Sequence, residues 1–119
     1  MDKNMTVEEV KNIAQKFYDD RDWGKFHNPK DLAISIEIEA TELLEIFRFK
    51  NEDQVKEIMS GEKREKVEDE VGDILLNLLR FAQMNDIDLS EALISKIRKS
   101  EIKYPVSKVK GKNLKYNEY

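Results

Sequence analysis

At 119 residues the chain is long enough for one hydrophobic core and too short for two. Hydrophobic and charged residues each make up 39%, with only four Gly and two Pro, which favours helices over a modest core and under a heavily charged surface. A net charge of −4 argues against nucleic acid as a partner, the lack of cysteine excludes disulfides and thiol chemistry, and no apolar run approaches the roughly 18 residues of a membrane span.

The N-terminus, MDKNMTVEEV, holds no signal-peptide core, so a cytoplasmic setting is expected. A first helix is predicted over Thr6–Asp20, opened by a capping box between Thr6 and Glu9. Its apolar stripe is Val7, Val10, Ile13, Ala14, Phe17 and Tyr18. RDWGKFHNP follows as a loop rich in aromatic residues. Asn28 is a good N-cap, and Pro29 presets the first φ of a second helix running to about Phe49. NEDQVKEIMSGEKRE reads as a short helix or turn that breaks near Gly61. A third long helix covers about Glu62–Asn85. A fourth is capped by Asp88 or Ser90 and ends near Lys103, before Pro105. The segment 103–119 is a basic tail with five lysines and one glutamate. No strand pattern or internal repeat is present, so the expected fold is an all-α four-helix bundle, one domain over residues 1–119.

The third helix adds an expectation about assembly. VGDILLNLLRFA is apolar almost all round, and such a helix is normally buried on every side. A chain this small has difficulty enclosing one, which points to a homo-oligomer with this helix in the interface.

The stretch SIEIEATELLEIF carries four glutamates inside a core-like helix. At about 100° per residue, with Glu39 at zero, Leu32 lies near +20°, Leu43 near +40° and Ile46 near −20°. Glu39 therefore sits in the apolar stripe, and Glu42, near −60°, sits at its edge. Glu37 falls on the opposite, solvated face with Arg48, and Glu45 is intermediate. On the third helix, Glu70, Asp73 and Asn77 form a narrow polar strip flanked by Ile74, Leu76 and Phe81. Unpaired buried carboxylates are costly, and like charges raise each other's pKa. Either cations or a divalent metal must relieve them. Lys66 and Arg80 are the nearest cations. Hard oxygen donors without Cys, and with the only His away at His27, suit Mg²⁺, with Mn²⁺ as a substitute, better than Zn²⁺. The Glu-x-x-His pairs of a di-iron bundle are absent.

Taken with the loop RDWGKFHNPKDLA and the tail KYPVSKVKGKNLKYNEY, the E-x-x-E and E-x-x-D pairs some 27 residues apart make the chain similar to the MazG-like all-α nucleoside triphosphate pyrophosphohydrolases. It resembles most the dCTP pyrophosphatase-like branch, over nearly its whole length. The resemblance implies Mg²⁺ held by Glu39, Glu42, Glu70 and Asp73. It implies cleavage of a nucleoside triphosphate between the α- and β-phosphates, giving monophosphate and pyrophosphate. It also implies a homo-oligomer, commonly a dimer of dimers. In that branch the loop matching Trp23, Phe26 and His27 helps hold base and sugar. Two positions depart from the branch's usual Trp and Tyr, here Phe49 and Asn77, and both bear on the base pocket.

Glu39 or Glu42 is the candidate to orient or deprotonate the attacking water. Lys108 and Lys112 suit the β- and γ-phosphates as point charges, with Tyr104 as a donor, or else belong to a solvated tail. Asn77 either hydrogen-bonds base or sugar or is a satisfied core amide. Trp23 and Phe26 either stack on a base or pack the loop against the bundle. His27 either contacts phosphate or sugar or bonds the loop to a helix. The enzymatic function expected is pyrophosphohydrolysis of dCTP-like or modified pyrimidine nucleotides. The alternatives are a non-catalytic nucleotide-binding or regulatory module, and a helical adaptor whose acids pair with lysines.

Overall fold

Local capping chemistry sets most of the helix boundaries in the computed structural model, which describes residues 1–119. Its helices are α1 (Val7–Asp19), α2 (Pro29–Phe47), α3 (Glu52–Ser60), α4 (Arg64–Met84), α5 (Leu89–Lys103) and α6 (Val106–Val109), with a 3-10 turn at Gly24–Phe26 and no strand. The all-α expectation holds.

Thr6 Oγ1 accepts from the Glu9 amide at 3.1 Å while the Glu9 carboxylate accepts from the Thr6 amide at 2.9 Å, which satisfies two orphan donors of α1. Asn28 Oδ1 accepts from the Asp31 amide at 2.9 Å, with Pro29 in the first turn of α2. The segment read as a short helix or turn is a helix, because Asn51 and Gln54 cap it reciprocally at 2.9 and 2.8 Å. Asp88, rather than Ser90, caps α5 by accepting from the Glu91 amide at 2.8 Å.

Three boundaries differ from the periodicity. α2 stops at Phe47, because Arg48 is extended and Phe49 takes a left-handed φ of 62°, turning the chain toward the Asn51 cap. α4 begins at Arg64, since Gly61 is extended and breaks the run after α3. The tail contains a further single turn, α6, where Pro105 at φ −64° presents its carbonyl to the Lys108 amide.

Two compact units divide the chain, Met1–Asp86 and Ile87–Tyr119. In the first, α2 packs along α4, and α1 and α3 also rest against α4. Ala14, Tyr18, Leu32, Ile58, Val67, Leu79 and Ala82 form its buried core. Each large aliphatic side chain buried there contributes roughly 1.5–3 kcal/mol. The chain does not enclose α4: Val71, Leu75 and Leu78 stay open, as do Ile34 and Ile38 on α2. A groove of about 330 Å³ between α1 and α4 is lined by Ile13, Phe17, Gly72 and Leu75 among others. In the second unit, the Tyr104 and Tyr116 rings meet edge-on at 6.4 Å, and Lys103 lies 4.9 Å from the Tyr116 ring. No helix is long and apolar enough to cross a membrane.

Candidate active site

The packing of α2 on α4 brings the two acidic pairs together. One carboxylate oxygen from each of Glu39, Glu70 and Asp73 lies within 4.8 Å of the other two, and all three side chains are half-buried. Glu39 Oε2 and Glu70 Oε2 are each buried with no hydrogen-bond partner. Buried polar atoms are nearly always satisfied, so two partnerless oxygens within one carboxylate cluster fit a ligand of opposite charge. Glu42, a turn past Glu39, is exposed at the rim of this cluster, near enough for its carboxyl to act on both Glu39 and Glu70. The fold thus brings Glu39, Glu70 and Asp73 together across the α2–α4 contact.

Electrostatics agree with the geometry. Burial first, then the Glu42 carboxyl and the Asp73 charge, push the Glu39 pKa from 4.5 up to about 7. Burial and Glu42 push Glu70 upward as well. Neither cation proposed as a partner relieves them. Lys66 is exposed, and Arg80 is engaged elsewhere: its Nε donates to His27 Nδ1 at 3.0 Å, and its Nη2 lies 4.0 Å from Asp19. Glu37 is exposed and Glu45 pairs with Arg48 at 3.1 Å, so both belong to the solvated face. The donor set is all carboxylate, close-spaced and unneutralised, which fits a hard divalent cation.

The aromatic loop packs on α1 and is bonded to α4. Trp23 packs edge-on against Phe17 at 5.9 Å, and His27 edge-on against Tyr18 at 4.7 Å. Tyr18 is close enough to Asp73 for that charge to help burial raise the tyrosine pKa, with Arg80 opposing. Burial and the Arg80 charge lower the His27 pKa. Phe26 is largely exposed, with the Lys25 ammonium 5.5 Å from its ring. Asn77 folds back on α4, its Nδ2 donating to the Asp73 carbonyl at 2.9 Å. Tyr104, Lys108 and Lys112 all lie in the second unit. Tyr104 ends α5, Lys108 sits in α6 with its Nζ 5.6 Å from the Tyr119 ring, and Lys112 follows α6.

Sequence periodicity missed the part played by Arg80 and Tyr18, placing one among the cations near the acids and the other in an apolar stripe. A signal existed for Arg80. It stands seven residues past Asp73 in DILLNLLR, hence on the same stripe of α4.

The chain is 31% identical over 114 residues to the dCTP pyrophosphatase 1 of Bos taurus, covering 95% of this chain and 68% of that protein. The dCTP pyrophosphatase 1 of Mus musculus is 30% identical over 114 residues, covering 95% of this chain and 67% of that protein. The crystal structure of a pyrophosphatase from Archaeoglobus fulgidus superposes with a TM-score of 0.76 at 43% identity, over 82% of this chain and 91% of that one. A model of the MazG-like family matches residues 34–119, which hold all four acidic residues, most of α2 and every later helix. The chain belongs to the MazG-like family.

Proposed function

We propose that this chain, a nucleotide pyrophosphohydrolase, is Mg²⁺-dependent and cleaves a nucleoside triphosphate between its α- and β-phosphates, releasing monophosphate and pyrophosphate. The observation that carries the proposal is the pair of partnerless buried oxygens on Glu39 and Glu70 beside Asp73. Glu39, Glu70 and Asp73, with Glu42 at the rim, are the residues that would hold Mg²⁺. Mn²⁺ is the substitute that the same oxygen donors accept. When bound, the cation supplies neutralisation of the triphosphate and polarisation of the α-phosphoryl group.

The rest of the work falls to side chains. Glu42, exposed at the rim, orients the water and takes its proton as the new oxygen–phosphorus bond forms, with Glu39 as the other candidate base. The bond from the α-phosphorus to the bridging oxygen breaks, and pyrophosphate leaves. Trp23 and Phe26 present exposed aromatic surface for a base to stack on, while His27 and Asn77 supply hydrogen bonds to base or sugar. Lys108 and Lys112 act as point charges for the outer phosphates, with Tyr104 as a donor. The relatives named for dCTP support dCTP-like or modified pyrimidine nucleotides as substrates. All of residues 1–119 serve as one catalytic domain in the cytoplasm, and two dimers assemble through the open apolar faces of α2 and α4.

The test is a panel of nucleoside triphosphates incubated with and without Mg²⁺, with products separated. Monophosphate and pyrophosphate formed only with the cation are expected, at a rate strongly reduced in Glu42→Gln. A nucleoside diphosphate with orthophosphate as the products, or turnover that is indifferent to Glu42, would refute the proposal.

A further inference from the structure

Arg80 is the one charged residue in the buried core, at 3% exposure. Its surroundings do not explain it as an ion pair. Asp19, the one carboxylate near it, is mostly exposed and 4.0 Å away. Instead the guanidinium reaches toward the loop between α1 and α2. Nε donates to His27 Nδ1 at 3.0 Å, Nη1 donates to Gln83 Oε1, and the guanidinium carbon lies 5.0 Å from the Tyr18 ring centroid. Gly24 lies under it so closely that a Cβ there would come within 3.1 Å of Nη2. Burying a cation is costly unless its donors are satisfied, and two of the donors of Arg80 are committed to the His27 ring and the Gln83 amide oxygen.

The chemistry of the pair fixes a tautomer. Arginine does not give up its protons in proteins, so Nε–H is the donor and Nδ1 must carry the lone pair. The ring proton of His27 then resides on Nε2. We infer that Arg80 is a positioning residue: it pins the aromatic loop to α4 and holds His27 as an Nε2–H donor for the nucleotide. The inference rests on the function proposed above and deepens it. It gives the loop a fixed, neutral hydrogen-bond donor beside Trp23 and Phe26. Arg80 shares the α4 stripe that carries Asp73 and Asn77, so the loop is anchored to the element that carries half of the acid cluster. A lysine cannot replace it, because an ammonium on a flexible stem lacks the planar Nε–H and Nη fork.

The chain has a single histidine, so its ring nitrogens are unambiguous in a long-range ¹H–¹⁵N spectrum of the labelled protein. Near neutral pH the wild type should show one static protonated nitrogen, Nε2, and one bare nitrogen, Nδ1. A proton on Nδ1, or rapid averaging of two tautomers, overturns the inference. In Arg80→Lys, averaging should appear and KM for the best nucleotide should rise at least about tenfold, the size of one lost hydrogen bond. Its kcat should stay within about twofold, as for an interaction made equally before and during reaction. His27→Ala should match it, and His27→Gln, which keeps an N–H donor near the Nε2 position, should rescue most of the affinity. An unchanged KM in Arg80→Lys, or a fall in kcat alone, overturns the inference. Should Arg80→Lys fail to fold, the wild-type spectrum and the two His27 variants decide. Should the wild type turn over no nucleotide, the proposed function falls while the spectrum still tests the pinned tautomer.

Discussion

Glu39→Gln should stabilise the metal-free protein and destabilise the protein in Mg²⁺, two effects of opposite sign from one atom. Without metal near pH 8, Glu39 is ionised against Asp73, with ligand oxygens within 4.8 Å. At that distance the repulsion is about 1 kcal/mol in a water-like dielectric, and the open rim of the site keeps it near that end. For 119 residues the unfolding entropy is about 250 cal/mol/K, so removing that repulsion raises Tm by about 4 °C. With Mg²⁺ at about 100 times its Kd, binding to the folded state alone adds roughly 2.7 kcal/mol, or about 11 °C. Glu39→Gln should lose most of that rise. The assay is thermal unfolding in chelator and in Mg²⁺, with ionic strength matched by monovalent salt to remove screening. A fall in the metal-free Tm of Glu39→Gln, or an undiminished Mg²⁺ shift, would show that the four carboxylates are not gathered for a cation.

The pH dependence follows from the same group. The Glu39 pKa stands at about 7 in the fold against 4.5 unfolded, so its favourable contribution is complete below 4.5 and is lost as pH rises through about 7. Metal-free Tm should therefore fall between pH 5 and 8, and apparent Mg²⁺ affinity should rise over the same span; a flat profile in both would count against a shared acid site. Leu79→Ala, in the core at 5% exposure, should cost about 2–5 kcal/mol in chemical denaturation. Leu75→Ala, about half exposed, should cost far less in a dilute monomer and, under the proposed assembly, more at high protein concentration, which denaturation at two concentrations resolves. Phe49→Gly removes a left-handed strain from a side chain that is 88% exposed and should raise folding stability by about 1 kcal/mol; a loss of stability would mean that the ring packs against something beyond this chain.

Helix boundaries were legible because capping is local: Thr6 with Glu9, Asn28 before Pro29, and Asp88 all find their partners within three residues. The phase of Glu39 within an apolar stripe was also legible, since a helix of known period fixes which residues share a face. That Glu39 and Asp73 lie within 4.8 Å was not, because it depends on how α2 docks on α4, and docking is decided by side chains far apart in sequence. The end of α2 escaped periodicity for a related reason. Phe49 adopts a conformation that its own preferences oppose, and only the need to reach the next cap imposes it. Arg80 shows the division most clearly. The sequence by itself places it on the Asp73 face of α4 and makes the acids its natural partners. The tertiary structure brings an imidazole from 53 residues away into hydrogen-bond contact first. Periodicity determines direction around one helix axis, whereas the identity of what waits there is settled only when separate segments pack.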